Sequence, residues 1–317
     1  MAIVLNHLDE FLLNIQANHY SPETVYNYER DLMVFEAFLQ EEGIGFDGID
    51  KKTIVGYKAY LSSRDRKTPK HREPAVERMA SRSTNRMLSA LRSYLKYLIE
   101  MDYSCPVAPD AIKMTKTEKK HPQVAELEEL VSLIEAPSKL ELNPRVSLRN
   151  RAILELLFAT GMRISEVCNL NRDQVDGSGR IFITGKGKKQ RFVYMTPRAQ
   201  EQLQRYLDTR KDDFPALFIP YAGRNARNQR KRISTNYVQE RIKRYREYLM
   251  INVPTSAHSL RHGFATYLAE GGANPAAIQI LLGHESLATT TRYVHASDRY
   301  AEDTHRKCHP LGKRTSS

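Results

Sequence analysis

At 317 residues and 41% hydrophobic content, the chain is long enough to build two cores of ordinary domain size. Its 49 Lys and Arg against 37 Asp and Glu leave a formal +12, which favours a polyanionic partner, nucleic acid first, although ribosomal proteins, membrane-surface proteins and ordinary enzymes can share that balance. No apolar run approaches the ~20 residues needed to cross a bilayer, and Met1 to Asn14 lacks the basic start and apolar stretch of a signal peptide, so membrane and secretory classes are set aside and a cytoplasmic location is expected.

The first hundred residues read as helices. Leu5, Leu8, Leu12 and Ile15 share one face, and Ser21-Pro22-Glu23 is a start signal for a second helix carrying Val25, Tyr28, Leu32, Phe35 and Leu39 and stopping near Gly43. A third helix carries Ile54, Tyr57 and Leu61; a fourth begins after Ser83 with Met87, Leu91, Tyr94, Leu95 and Leu98. From Pro106 to Pro122 apolar periodicity disappears and the chain turns polar and basic, as a linker does. The expected division is therefore a first domain over 1–112, a linker over 113–122 and a second domain over 123–317.

The second half mixes element types. Helical patterns near 126–135 and 147–160 precede a strand at 180–184, the turn Gly185-Lys186-Gly187-Lys188-Lys189 and a strand at 191–195, together a hairpin with a lysine-studded turn. Helices follow near 197–210 and 234–250, then one from Ala257 that ends at Gly271-Gly272. Asn274-Pro275 opens a short helix that Gly283 closes.

Cys105, Cys168 and Cys308 are scattered and suggest neither a disulfide framework nor a metal knuckle, so they read as reduced thiols. His305, Cys308 and His309 lie close together but lack a fourth ligand nearby, and no metal is assigned. The 185–189 turn lacks the upstream Gly and following Ser or Thr of a nucleotide-binding loop. His258 and His262 stand at i and i+4 like zinc ligands, but Ser259 occupies the position where a zinc protease needs Glu. No cofactor is expected.

Five features of the second half stand out: Arg163 in Thr160-Gly161-Met162-Arg163-Ile164-Ser165-Glu166, Lys186 in the hairpin turn, His258-Ser259-Leu260-Arg261, His284 in Leu281-Leu282-Gly283-His284, and Tyr293. Singly each is ordinary, since most such side chains pair or pack. Their spacing is not: 23 residues from Arg163 to Lys186, 3 from His258 to Arg261, 26 from His258 to His284, and 9 from His284 to Tyr293. In these letters, and in Leu88-Ser89-Ala90-Leu91-Arg92-Ser93 of the first half, the chain resembles the tyrosine recombinase family of Xer and phage-integrase type over nearly its whole length. Two departures are visible: Ala257 stands where a proline often precedes the first histidine, and Arg64 to Arg82 looks like an insertion.

The resemblance implies a mainly α fold with a small β-sheet: a helical, SAM-like core-binding domain plus a mixed α/β catalytic domain, closing as a C-shaped clamp on double-stranded DNA. It implies homo-tetramers on two synapsed sites, with or without a second recombinase or accessory protein, and no separate arm-binding domain. A tail from about Asp298 to Leu311 is implied to dock on a neighbouring subunit. Cutting DNA without a metal requires donors for the charge that builds on the non-bridging phosphate oxygens, and two always-charged guanidiniums, Arg163 and Arg261, supply it, with His284 adding a donor. Tyr293 is the nucleophile. Its phenol, with a pKa of ~10, attacks only once deprotonated, and His258 is the candidate base. Lys186 remains for the leaving group.

DNA must also be held. Arg224, Arg227, Arg230, Lys231 and Arg232 crowd into nine residues without an acid, and with Arg92, Lys188 and Lys189 they are the expected contacts, chiefly to the backbone. Seven basic and three acidic residues in Arg64 to Arg82 either lengthen the grip or form a loop. The alternatives to site-specific recombination are DNA relaxation of the type IB topoisomerase kind and a non-catalytic DNA-binding protein.

Overall fold

A computed structural model describes residues 5–63, 79–117, 124–184, 190–227, 231–283 and 302–311, and the chain divides into two units, 1–120 and 121–317. In the first, α1 (Leu8–Ala17), α2 (Pro22–Glu42), α3 (Lys51–Ser62) and α4 (Ser81–Glu100) enclose one core. Helix α2 starts where Ser21 Oγ accepts the Thr24 N–H, with Pro22 in the first turn, and stops where Gly43 adopts a left-handed φ of 67°. Helix α3 is opened by a reciprocal cap: Asp50 accepts the Thr53 N–H at 2.8 Å and Thr53 Oγ1 accepts the Asp50 N–H at 3.2 Å. The buried faces follow the helical spacing of the apolar residues, with Phe35 and Phe38 meeting the buried Tyr57 ring at 4.7 and 5.4 Å. Buried Asp31 of α2 pairs with Arg86 of α4. The start of the polar stretch is tied to the same unit, because Asn85 of α4 exchanges hydrogen bonds with Thr115.

The second unit is built around α6 (Pro144–Thr160), every residue of which from 149 to 160 is buried. A helix buried all round must sit inside its domain. Against it pack α5 (Leu127–Leu140), α8 (Pro197–Leu207), α10 (Ala257–Glu270) and the second strand of the hairpin. Strands β1 (Arg180–Thr184) and β2 (Gln190–Tyr194) run antiparallel, with Ile181 opposite Val193 and Thr184 opposite Gln190. Helices α7 (Ile164–Asn169), α9 (Thr235–Tyr248) and α11 (Pro275–Leu282) complete the set among the described residues.

Two differences from the sequence reading have local causes. Six-residue α7 carries too few apolar positions to show a period, and it forms because Glu166 accepts the Arg163 N–H at 2.8 Å. Helix α5 runs past Pro137 to Leu140: the ring is buried one turn from the helix end, and the last turn closes through the Glu141 N–H on the Pro137 carbonyl at 3.1 Å. Of the charged residues buried on α6, Glu155 accepts from Arg151 and Arg198 at 2.7 Å each, and Arg149 donates to Asn150 Oδ1, the Ile219 carbonyl and the Tyr237 hydroxyl. No helix among the described residues is long and apolar enough to cross a membrane.

Residues 302–308 are helical and lie on the same chain. His305 Nε2 donates to the Ala159 carbonyl and His309 Nε2 to that of Phe158, capping the end of α6, while His309 Nδ1 accepts the Leu311 N–H at 3.1 Å. Burial pushes His305 down to about 4 and His309 to about 3, helped by the Arg306 charge on the first and by His305 on the second. A released tail would titrate near the ordinary ~6.5. Above that value both forms are neutral and docking is unaffected; below it only the released tail takes up protons, so docking weakens as pH falls through about 4 and 3. We expect amide-exchange protection of residues 302–311, corrected for intrinsic rates, to collapse between pH 7 and 4. Equal protection at both ends would refute this latch.

Candidate active site

The sequence-predicted Arg163 and Arg261 meet at the end of α6. There Gly161 adopts a φ of 63°, and a side chain on it would lie 2.5 Å from the Phe264 ring, so only glycine lets the chain turn this close against α10. Buried Arg261 donates to the Gly161 carbonyl and to the Leu282 carbonyl, each at 2.7 Å. It thereby joins the turn before Arg163 to the last turn of α11, one residue from Gly283 and two from His284.

Arg163 caps α7 and its side chain is 39% exposed, so it faces outward while Arg261 supports from beneath. Its Nη1 donates to Glu166 Oε1 at 3.0 Å. The carboxylate's remaining needs are met by Arg191 of β2, which donates to both oxygens at 3.1 and 2.8 Å. Three guanidiniums thus gather around one carboxylate. Burial, then the charges of Arg163 and Arg191, lower Arg261 to about 10, still protonated at neutral pH. Such a cluster carries a net positive charge.

His258 lies in the first turn of α10, with Nε2 at 2.9 Å from Nε2 of His262. One ring must donate and the other accept. Lys186, His284 and Tyr293 lie outside the described residues. The sequence reading missed the parts played by Glu166 and Arg191. Glu three residues after Arg163 is a capping signature and was available; Arg191 carried no signal beyond a charged residue in a strand.

The expected DNA contacts divide. Arg224 and Arg227 are exposed on a short 3-10 turn, and the Lys231 ammonium lies 4.1 Å from the centre of the Phe214 ring. Arg232 instead turns inward, donating to the carbonyls of Leu170 and Cys168 at 2.8 and 3.3 Å and to Asn171 Oδ1 at 2.6 Å. Arg92 is paired with Asp110. Lys188, Lys189 and Arg230 lie outside the described residues, as does most of the Arg64 to Arg82 stretch.

Comparison with known proteins places the chain in a family. Residues 123–299 match the phage integrase family and residues 8–101 its N-terminal SAM-like domain. The chain is 31% identical over 314 residues to the tyrosine recombinase XerC of Psychromonas ingrahamii, covering 97% of both, and 31% identical over 314 residues to the tyrosine recombinase XerD of Staphylococcus epidermidis, covering 96% of this chain and 98% of that one. Among solved structures, the XerH site-specific recombinase in a post-cleavage complex with a difH substrate aligns at a TM-score of 0.66 and 19% identity, over 90% of this chain and 78% of that one. A DNA-bound lambda integrase fragment aligns at 0.63 and 16%, over 96% and 98%. With two domain models in the expected order and relatives matched from end to end, this chain belongs to the phage integrase family of tyrosine recombinases.

Proposed function

We propose that the chain is a site-specific recombinase that cuts and rejoins duplex DNA through a 3′-phosphotyrosyl intermediate, serving either chromosome-dimer resolution or the movement of a mobile element. The gathering of Arg163, Arg191 and Arg261 around the single Glu166 carries this reading: net positive charge is held rigidly where a scissile phosphate can supply the missing anion. In the proposed reaction His258 takes the proton of Tyr293, the phenolate oxygen bonds to phosphorus, and the bond from phosphorus to the 5′-oxygen breaks. Lys186 delivers a proton to that oxygen. Arg163, Arg261 and His284 hold the non-bridging oxygens throughout. The new bond retains the phosphodiester's energy, so a 5′-hydroxyl from another strand reverses the steps without ATP.

The first unit serves as the core-binding domain and the second as the catalytic domain, with 113–122 between them. Exchanging two duplexes requires four strand cleavages and hence four tyrosines, which supports a homo-tetramer on synapsed sites; a lambda integrase of this fold is known as a tetramer on a Holliday junction. In that assembly the tail is proposed to move from its own chain to a neighbour. A DNA substrate supports a cytoplasmic location.

Two experiments test the reading. A plasmid carrying two copies of a site selected by covalent capture is expected to yield recombinants and a synaptic tetramer; relaxation alone, with no synapsis, would favour the topoisomerase alternative. Neutralising Arg224, Arg227 and Lys231 should flatten the dependence of log affinity on log salt by up to ~0.9 for each phosphate that is no longer neutralised. Arg232→Ala should instead lower the melting temperature, because it removes internal hydrogen bonds to the carbonyls of Leu170 and Cys168 and to Asn171 Oδ1. An unchanged slope in the triple variant would make that cluster plain surface.

A further inference from the structure

We propose that Arg191 is a positioning residue of the recombination centre, the joint that keeps Arg163 free to hold the scissile phosphate. The inference rests on the reading of Arg163 as a phosphate-binding group. The Arg191 side chain is 10% exposed, and each of its three nitrogens already donates within the chain. Its Nε donates to the Leu281 carbonyl at 3.0 Å, and its two Nη atoms donate to the two oxygens of Glu166. One planar fork thus joins β2 to α7 beside Arg163 and to α11. Gly283 is part of the same joint, since a side chain there would meet the Arg191 Cδ and Nη1 atoms at 3.0 Å.

Arg163 and Arg191 compete for Glu166. This carboxylate is 8% exposed, and burial works against its charge, but hydrogen bonds from Arg191 and from the Arg163 backbone outweigh burial and hold its carboxyl below the usual range. With Arg191 on both oxygens, Glu166 takes only Nη1 of Arg163, and the rest of that exposed guanidinium remains available to an incoming phosphate. Without Arg191, a buried carboxylate would be left with Arg163 as its main partner and would draw it into a two-toothed pair, away from the phosphate. Lysine cannot replace this fork: one ammonium does not span two carboxylate oxygens and a carbonyl in a single plane.

The test is Arg191→Lys, which keeps the charge. Single-turnover formation of the covalent adduct at saturating DNA is measured on an ordinary site and on one with a methylphosphonate at the scissile position, alongside Arg163→Ala. The methylphosphonate lacks one charged non-bridging oxygen, so it depends less on guanidinium donors. We expect Arg191→Lys to bind DNA within about two-fold of wild type and to slow cleavage of the phosphodiester ~10- to 100-fold, as a displaced catalytic group does. On methylphosphonate most of that loss should disappear, as it should for Arg163→Ala. Equal slowing on both substrates, or loss of DNA binding in step with cleavage, would assign Arg191 a merely structural role and overturn the proposal. If Arg163→Ala recovers while Arg191→Lys does not, the proposal alone fails; if Arg163→Ala also fails to recover, the phosphate role of Arg163 falls and the proposal falls with it. Should Arg191→Lys not fold, Arg191→Gln keeps a neutral donor near Glu166 but not the fork, and is judged by the same ratio of rates.

Discussion

Replacing Tyr293 by Phe is expected to abolish the covalent protein–DNA adduct while leaving DNA affinity nearly intact. The change deletes one oxygen and almost no volume, so binding surfaces and packing persist while the nucleophile is gone. The loss should be complete rather than partial, because the arginine cluster, in its proposed role of stabilising charge on phosphorus oxygens, offers no atom that can attack phosphorus. Denaturing gels of a nicked or suicide substrate read the adduct directly, and mobility shifts read binding. A persistent adduct in the Phe variant would move the nucleophile to another residue and remove the motif assignment with it.

The second large effect concerns Lys186, proposed to protonate the departing 5′-oxygen. Lys186→Ala should slow cleavage of ordinary DNA ~10²-fold or more, in the range expected for a lost general acid. A substrate with sulfur in place of the bridging 5′-oxygen separates this role from phosphate binding, because a thiolate leaving group with a pKa of ~8.5 hardly needs a proton. On that substrate Lys186→Ala should return toward the wild-type rate. Arg163→Ala should not, since the charge on the non-bridging oxygens is unaffected by the sulfur. Recovery of both variants, or of neither, would show that the proton comes from elsewhere, with Lys188 and Lys189 the nearest candidates in the same turn.

Much of the architecture was legible in order along the chain. Ser21-Pro22, Gly43, Asn274-Pro275 and Gly283 mark helix ends through local rules, and the caps are found at those positions. The alternation around 180–194 specified the hairpin, and the spacing of Arg163, His258, Arg261, His284 and Tyr293 specified the family and the reaction class. All of these signals act over a few residues or repeat a family's letters, and neither requires knowing what lies across the core.

What the tertiary structure alone decided is which charged groups face inward and what they hold. Glu166 and Arg191 are 25 residues apart, Arg191 and the Leu281 carbonyl 90, and Arg261 and the Gly161 carbonyl 100. Arg232 reads like its basic neighbours in the sequence yet caps carbonyls 62 and 64 residues away, and His305 and His309 close the end of α6 from 146 and 151 residues beyond it. An unpaired carbonyl at the end of a helix or loop is the same chemical group wherever it occurs, so no local pattern records which side chain satisfies it. That choice is made by packing, when burial makes any polar group left without a partner too costly to keep.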